Sequence, residues 1–167
     1  MNISRYMSPE MIKLEMESEF SPPEGENGYS KRQILNIKET ILSELTDLLD
    51  HSGKVSNKKK LSSDLFNREK KATTAIGRQI AIPHVRTMQA KEFILAVGRH
   101  ADGYEFDAPD GKPVRLFFCM AAPPYDDNLY LKVFRSLAER INYPGFVENL
   151  IEASDPHLVI RAFKELE

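Results

Sequence analysis

Apolar residues recur at three- and four-residue steps through Ile34, Ile37, Ile41, Leu45 and Leu48, the spacing of one buried face of an α-helix. Ser30 followed by Gln33 forms a capping-box pair and Gly53 a stop, which predicts a helix over Lys31–Asp50. Before it, residues 21–30 hold Pro22, Pro23, Gly25 and Gly28, and missing donors together with turn-forming glycines predict a loop. A second, shorter helix is expected after Ser56 toward Lys71, with Leu61 and Leu65 inward and Lys58, Lys59 and Lys60 on a solvated face. From Thr74 onward the apolar segments are short and bounded by Gly, Pro and Asp. Residues 80–82, 93–97 and 114–121 read as strands, the last two apolar at nearly every position, as in strands covered on both faces. Helical spacing returns after Pro124, with Asp126 or Asp127 as cap and Val133, Leu137 and Ile141 inward. A short helix follows Pro144. Asp155 caps a last helix with Pro156 in its first turn, its buried side formed by Leu158, Ala162, Phe163 and Leu166. The order of elements predicts an α/β fold, a single domain with a mixed β-sheet flanked by helices on both sides.

Composition narrows the function classes. A chain of 167 residues has the size of one domain, and 41% hydrophobic with 29% charged residues lies far from the disordered range. The 23 Lys and Arg against 25 Asp and Glu leave a formal charge of -2, so no global field draws the protein to nucleic acid or an anionic membrane. The first residues lack an apolar signal core, and no stretch approaches the roughly 18 apolar residues that span a bilayer, which predicts a cytoplasmic protein rather than a membrane protein. The single Cys119 sits in the apolar run 116–120, where a buried, inert thiol is expected.

Histidine is the side chain to follow, being nucleophilic and protonatable near neutral pH, and there are four: His51, His84, His100 and His157. His51 ends the first long helix, where a cation suits the dipole and the carbonyls need donors. His157 falls in the first turn of the last helix, and His100 follows a strand in a polar stretch. None is spaced with another His, Cys or carboxylate as a metal ligand set, so neither metal nor cofactor is expected. His84 differs because Pro83 stops the strand before it and delivers the imidazole at the strand's C-terminal end, where open α/β sheets form crevices. Thr73, Thr74 and Gly77 bring hydroxyls and a flexible backbone close to that edge, the materials of an anion-holding pocket. On these grounds alone His84 reads either as a nucleophile or as an ordinary strand-end histidine.

The segment Arg68-Glu69-Lys70-Lys71-Ala72-Thr73-Thr74-Ala75-Ile76-Gly77-Arg78-Gln79-Ile80-Ala81-Ile82-Pro83-His84 adds a resemblance. It resembles, without a gap, the phosphorylation-site signature of the fructose/mannitol/nitrogen-regulatory type of enzyme IIA in the bacterial phosphotransferase system. Further likeness lies in Met7-Ser8-Pro9-Glu10-Met11-Ile12, in Asp102-Gly103-Tyr104-Glu105-Phe106-Asp107 and in Asp110-Gly111-Lys112-Pro113-Val114, so the resemblance covers nearly the whole chain. It implies a mannitol-type enzyme IIA fold over residues 1–167. It also implies a phosphocarrier whose His84 takes a phosphoryl group from HPr or its nitrogen-branch homologue and hands it to a IIB component or a regulatory protein. No IIB or membrane IIC segment is fused here, which favours a stand-alone, nitrogen-regulatory type that switches its protein partners. In that frame Arg68 stabilises the phosphoryl oxygens, because a planar guanidinium binds two of them at once. Without it, Arg68 reads as a surface residue in an ion pair with Glu69 or its neighbours. Two positions depart from the pattern. Val85 stands where a small residue is usual, which predicts crowding of a partner's approach, and Tyr130 stands where the family often has a second histidine. A tyrosine keeps a hydrogen bond and loses the charge.

Overall fold

The computed structural model describes residues 1–167. After two 3-10 turns, Ile3–Tyr6 and Pro9–Met11, the chain forms a two-residue strand β1 (Ile12–Lys13), and none of these three elements carries a periodicity that a sequence reading detects. Helix α1 (Lys31–Asp50) starts on the expected capping box, with Gln33 N–H donating to Ser30 Oγ at 3.2 Å and Ser30 N–H to Gln33 Oε1 at 2.7 Å. Helix α2 (Lys58–Lys71) is capped by Asn57, and its lysine run is exposed as expected.

The strand expected over 80–82 is shorter than its apolar run and is one of three short pieces. Ala75–Gly77 (β2) and Ile80–Ala81 (β3) form a hairpin whose two connecting residues, Arg78 and Gln79, both have positive φ, the turn geometry that matches strand twist. Pro83 then breaks the path, and His84–Arg86 resumes as a separate strand β4. Strand β5 (Ile94–Tyr104) runs well past residue 97 through polar positions, so His100 lies within the strand and not after it; its ring stacks on Tyr104 at 4.1 Å. Strand β6 (Val114–Ala122) lies at the centre. Helices α3 (Asp127–Ile141), α4 (Phe146–Glu152) and α5 (Pro156–Lys164) complete the chain, with Asp126 the cap of α3 and Asp155 that of α5.

The sheet runs β1-β5-β6-β3-β2, with β5 antiparallel to β6 and with both β3 and β4 parallel to β6. β3 pairs with Leu116 and Phe117, and β4 with Met120 to Ala122 farther along the same edge, so two short strands share one long partner. Alternation along β6 divides the interior. Leu116, Phe118, Met120 and Ala122 face a core completed by α3, α4 and α5, whereas Phe117, Cys119 and Ala121 face a core completed by α1 and α2. Cys119 is fully buried, and burial pushes its thiol pKa up. On α5 the buried side is Val159, Ala162 and Phe163; Leu158 is 40% exposed, one position off the expected stripe, and Val159 takes the inward place at a three-residue step from Ala162.

Candidate active site

Strand β4 begins at His84 because Pro83 has no N–H for the ladder, while its carbonyl accepts from Met120 N–H at 2.9 Å and keeps the chain against β6. His84 and Arg86 are two apart in this strand and project to the same face, and Val85 projects to the other. Half-buried Val85 packs with the α1/α2 core and also lines the cleft beside the imidazole, so only part of the bulk expected to crowd a partner is drawn inward.

The His84 ring is held from two sides. Its Nδ1 lies 2.6 Å from the Ile82 carbonyl oxygen, which can only accept, so Nδ1 carries the proton and Nε2 keeps its lone pair. Phe134 of α3 meets the ring edge-on at 5.2 Å, and Tyr130 lies tilted at 6.0 Å. Burial pulls the His84 pKa below the ordinary histidine value; the hydrogen bond to the Ile82 carbonyl opposes it in part, the Arg68 guanidinium lowers it further, and Glu69 opposes least. The imidazole is therefore neutral at physiological pH, the form in which Nε2 is a nucleophile.

A cleft of about 720 Å³ opens beside it at the free edge of β4. Helix α2 contributes Asp64, Asn67, Arg68 and Lys71, β4 contributes His84, Val85 and Arg86, and the opposite wall holds Pro124, Asp127 and Tyr130. Arg68, Lys71 and Arg86 are its cations. Asp64 is occupied by the Thr87 hydroxyl, which donates to it at 2.6 Å, and Asp127 pairs with Arg86. A larger cavity of about 960 Å³ lies between α1 and α2, but it contains no histidine and mixes carboxylates with lysines.

Of the residues singled out from the sequence, the structure brings together His84, Arg68 and Tyr130. Arg68 donates through Nη1 to the Ala72 carbonyl at 3.0 Å and does not pair with Glu69. Glu69 is turned inward, where it accepts from Lys38 Nζ at 3.0 Å and from the Thr74 N–H at 2.7 Å. Tyr130 donates no hydrogen bond within the protein, and burial pushes its pKa up to about 12, so it is neutral. Thr73 and Thr74 do not line the cleft. The Thr74 hydroxyl donates to Glu69, and the Thr73 hydroxyl donates to the Phe106 carbonyl at 3.0 Å while accepting from Lys38. His51 reaches across to the Glu10 carbonyl through Nδ1 at 2.8 Å, and no group of three His, Cys, Asp or Glu is placed to hold a metal ion. Arg86, Lys71 and Asp127 were not singled out from the sequence; the signal for Arg86 was its two-residue offset from His84 in a strand.

Comparison with known proteins fits this geometry. The fructose-specific EIIA component of Haloferax volcanii is 32% identical over 122 residues, which is 73% of this chain and 79% of that protein. The fructose-specific EIIABC component of Bacillus subtilis is 28% identical over 96% of this chain, and the chain spans only 22% of that relative's length. The crystal structure of the nitrogen regulatory protein IIA-Ntr from Neisseria meningitidis superposes with a TM-score of 0.78 at 28% identity, covering 96% of this chain and 98% of that one. The family described as "Phosphoenolpyruvate-dependent sugar phosphotransferase system, EIIA 2" matches residues 30–166, and this chain, with its neutral His84 at the open edge of a mixed sheet, belongs to that family.

Proposed function

We propose that the protein is a phosphohistidine carrier in which His84 Nε2 accepts a phosphoryl group from an HPr-type protein or its nitrogen-branch homologue. The observation that carries this reading is the His84 ring itself, neutral, with Nδ1 committed to the Ile82 carbonyl and Nε2 left free beside three cations. In the transfer, the Nε2 lone pair forms a bond to phosphorus as the donor's N–P bond breaks, and that electron pair stays on the donor imidazole. The proton stays on Nδ1, hydrogen-bonded to the Ile82 carbonyl, so the ring gains a positive charge beside the phosphoryl group, and in onward transfer it takes back the N–P electron pair and leaves as a neutral imidazole, a good leaving group. Arg68 binds phosphoryl oxygens as a planar, permanently charged fork. Tyr130 offers its free O–H. Thr73 and Thr74 act through Lys38 and Glu69, setting the backbone between α2 and β2, and need not touch phosphate.

The acceptor is a regulatory protein of the nitrogen-branch type, a reading supported by likeness to IIA-Ntr along nearly the full length of both chains. The 32% identity to a fructose-specific EIIA component supports a second reading, relay to a IIB component and thence to a sugar. Either role places the protein in the cytoplasm; no helix is long and apolar enough to cross a membrane. Incubation with phosphoenolpyruvate, enzyme I and the HPr-type donor, followed by intact mass, tests the carrier. One acid-labile, base-stable phosphate is expected, lost in His84→Ala and kept in the alanine variants of His51, His100 and His157. Label surviving in His84→Ala removes the assignment.

A further inference from the structure

Arg86 is the one cation that reaches the cleft from the same strand face as the nucleophile. Two residues of strand span about 7 Å, so its guanidinium and the His84 imidazole rise side by side from β4. On α3 a single ring lies against both, with Tyr130 at 6.0 Å from the His84 ring and 5.4 Å from the Arg86 guanidinium carbon. The tyrosine ring beside it keeps the guanidinium within the cleft, where it comes from β4 while Arg68 and Lys71 come from α2. Its carboxylate partner is Asp127, in the first turn of α3.

That pairing is easily exchanged. The Arg86 and Asp127 side chains are 45% and 65% exposed, and ion pairs so open to water contribute little to stability. A phosphoryl group on Nε2 would present up to two negative charges and three acceptor oxygens to the same fork, a stronger partner than one carboxylate. The other anion of the cleft, Asp64, is held by Thr87 and does not compete for Arg86. Tyr130 contributes no charge on this wall, so Arg86 is the group able to neutralise the phosphoryl oxygens from the α3 side.

We propose that Arg86 is a phosphoryl-binding residue that leaves Asp127 when His84 is phosphorylated, with Tyr130 as the platform that holds it in reach and Asp127 as the anion that it must release. The inference rests on the carrier reading above. Its consequence is a stabilised phosphoprotein, read as the equilibrium between phosphorylated donor and phosphorylated His84, which is independent of how fast the two proteins dock.

The test compares wild type, Arg86→Gln, Arg86→Lys, Asp127→Asn and the Arg86→Gln/Asp127→Asn double variant at equilibrium with the HPr-type donor by intact mass. The phosphoryl ionisation of each is followed by phosphorus NMR. Arg86→Gln is expected to shift the equilibrium about tenfold or more toward the donor and to raise the phosphoryl ionisation, as for loss of a charge-assisted contact. Arg86→Lys recovers part of both effects. Asp127→Asn shifts the equilibrium the other way in wild type and has no effect once Arg86 is Gln. If wild type takes no label on His84, the carrier reading falls and this inference with it. If wild type is labelled but Arg86→Gln stays within twofold of its equilibrium and ionisation, the carrier stands and Arg86 has no part in it. Equal effects of Asp127→Asn with and without Arg86 likewise remove the exchange.

Discussion

Lys38 of α1 and Glu69 of α2 form an ion pair at 3.0 Å with side chains 4% and 1% exposed. Lys38 Nζ also lies 4.8 Å from the Phe106 ring centroid and donates to Thr73, while Glu69 accepts from Thr74. The pair pins the end of α2, and with it Arg68, to the backbone that enters β2. Removing one partner of a buried, hydrogen-bonded pair leaves an uncompensated charge and costs about 3–5 kcal/mol. Lys38→Met is therefore expected to lose that much unfolding free energy in urea, and Lys38→Met/Glu69→Gln to regain part of it because no charge remains. A double variant as unstable as the sum of both singles would show that packing, not charge, holds the junction.

The depressed His84 pKa sets a pH dependence. Burial and Arg68 disfavour the imidazolium, so on acidification the unfolded chain binds this proton before the folded one does. The contribution of His84 to stability is thus complete above the ordinary value of about 6.5 and is lost as pH falls through the folded pKa. An NMR titration of the ring is expected to have its midpoint below 6.5, and Arg68→Gln to raise that midpoint without carrying it past the ordinary value, since burial is the larger cause. A wild-type midpoint at or above 6.5 would contradict the neutral nucleophile.

Tyr130→Phe separates the hydroxyl from the ring. The ring packs between His84, Phe93 and Phe134, and these contacts survive, so stability should change by less than about 0.5 kcal/mol. The hydroxyl has no partner in the protein; if it binds the phosphoryl group, one neutral hydrogen bond is lost and single-turnover phosphorylation slows by about two- to tenfold. Equal rates would leave Tyr130 as a packing and stacking residue.

Arg68→Lys keeps the charge and loses both the planar fork and the bond to the Ala72 carbonyl. Phosphorylation is expected to slow by roughly tenfold, with the thermal midpoint shifting by no more than a few degrees. A rate unchanged from wild type would reduce Arg68 to a screened positive charge.

Features set by neighbours in sequence were legible in advance. The Ser30–Gln33 box, the Asp155 cap and the interruption at Pro83 are each decided within four residues, and all three are in the structure. Elements that depend on distant partners were not. Strand β5 continues through Arg99, His100 and Asp102, where the polar run is half or fully exposed and no apolar alternation remains to mark a strand. Lys38 and Glu69 were not marked as core positions, although each continues a buried stripe. Lys38 falls four residues after Ile34 and four before Leu42, and Glu69 follows Leu61 and Leu65 at the same step. Two opposite charges on two such stripes are a signal for a buried pair, invisible while the helices are read one at a time. The signature around His84 was legible as a string; the wall formed by Arg86, Asp127 and Tyr130 required knowing that β4 and the start of α3 meet.

Cys119 lies fully buried at the middle of β6, its thiol held protonated by its surroundings, and it is the only cysteine in the chain. To a maleimide the folded protein is therefore a background without an accessible thiol. Met88, two residues after Arg86, and Tyr125, next to Pro124, are 68% and 76% exposed, and either position can be made the sole accessible attachment point for a dye or spin label without first removing a native thiol.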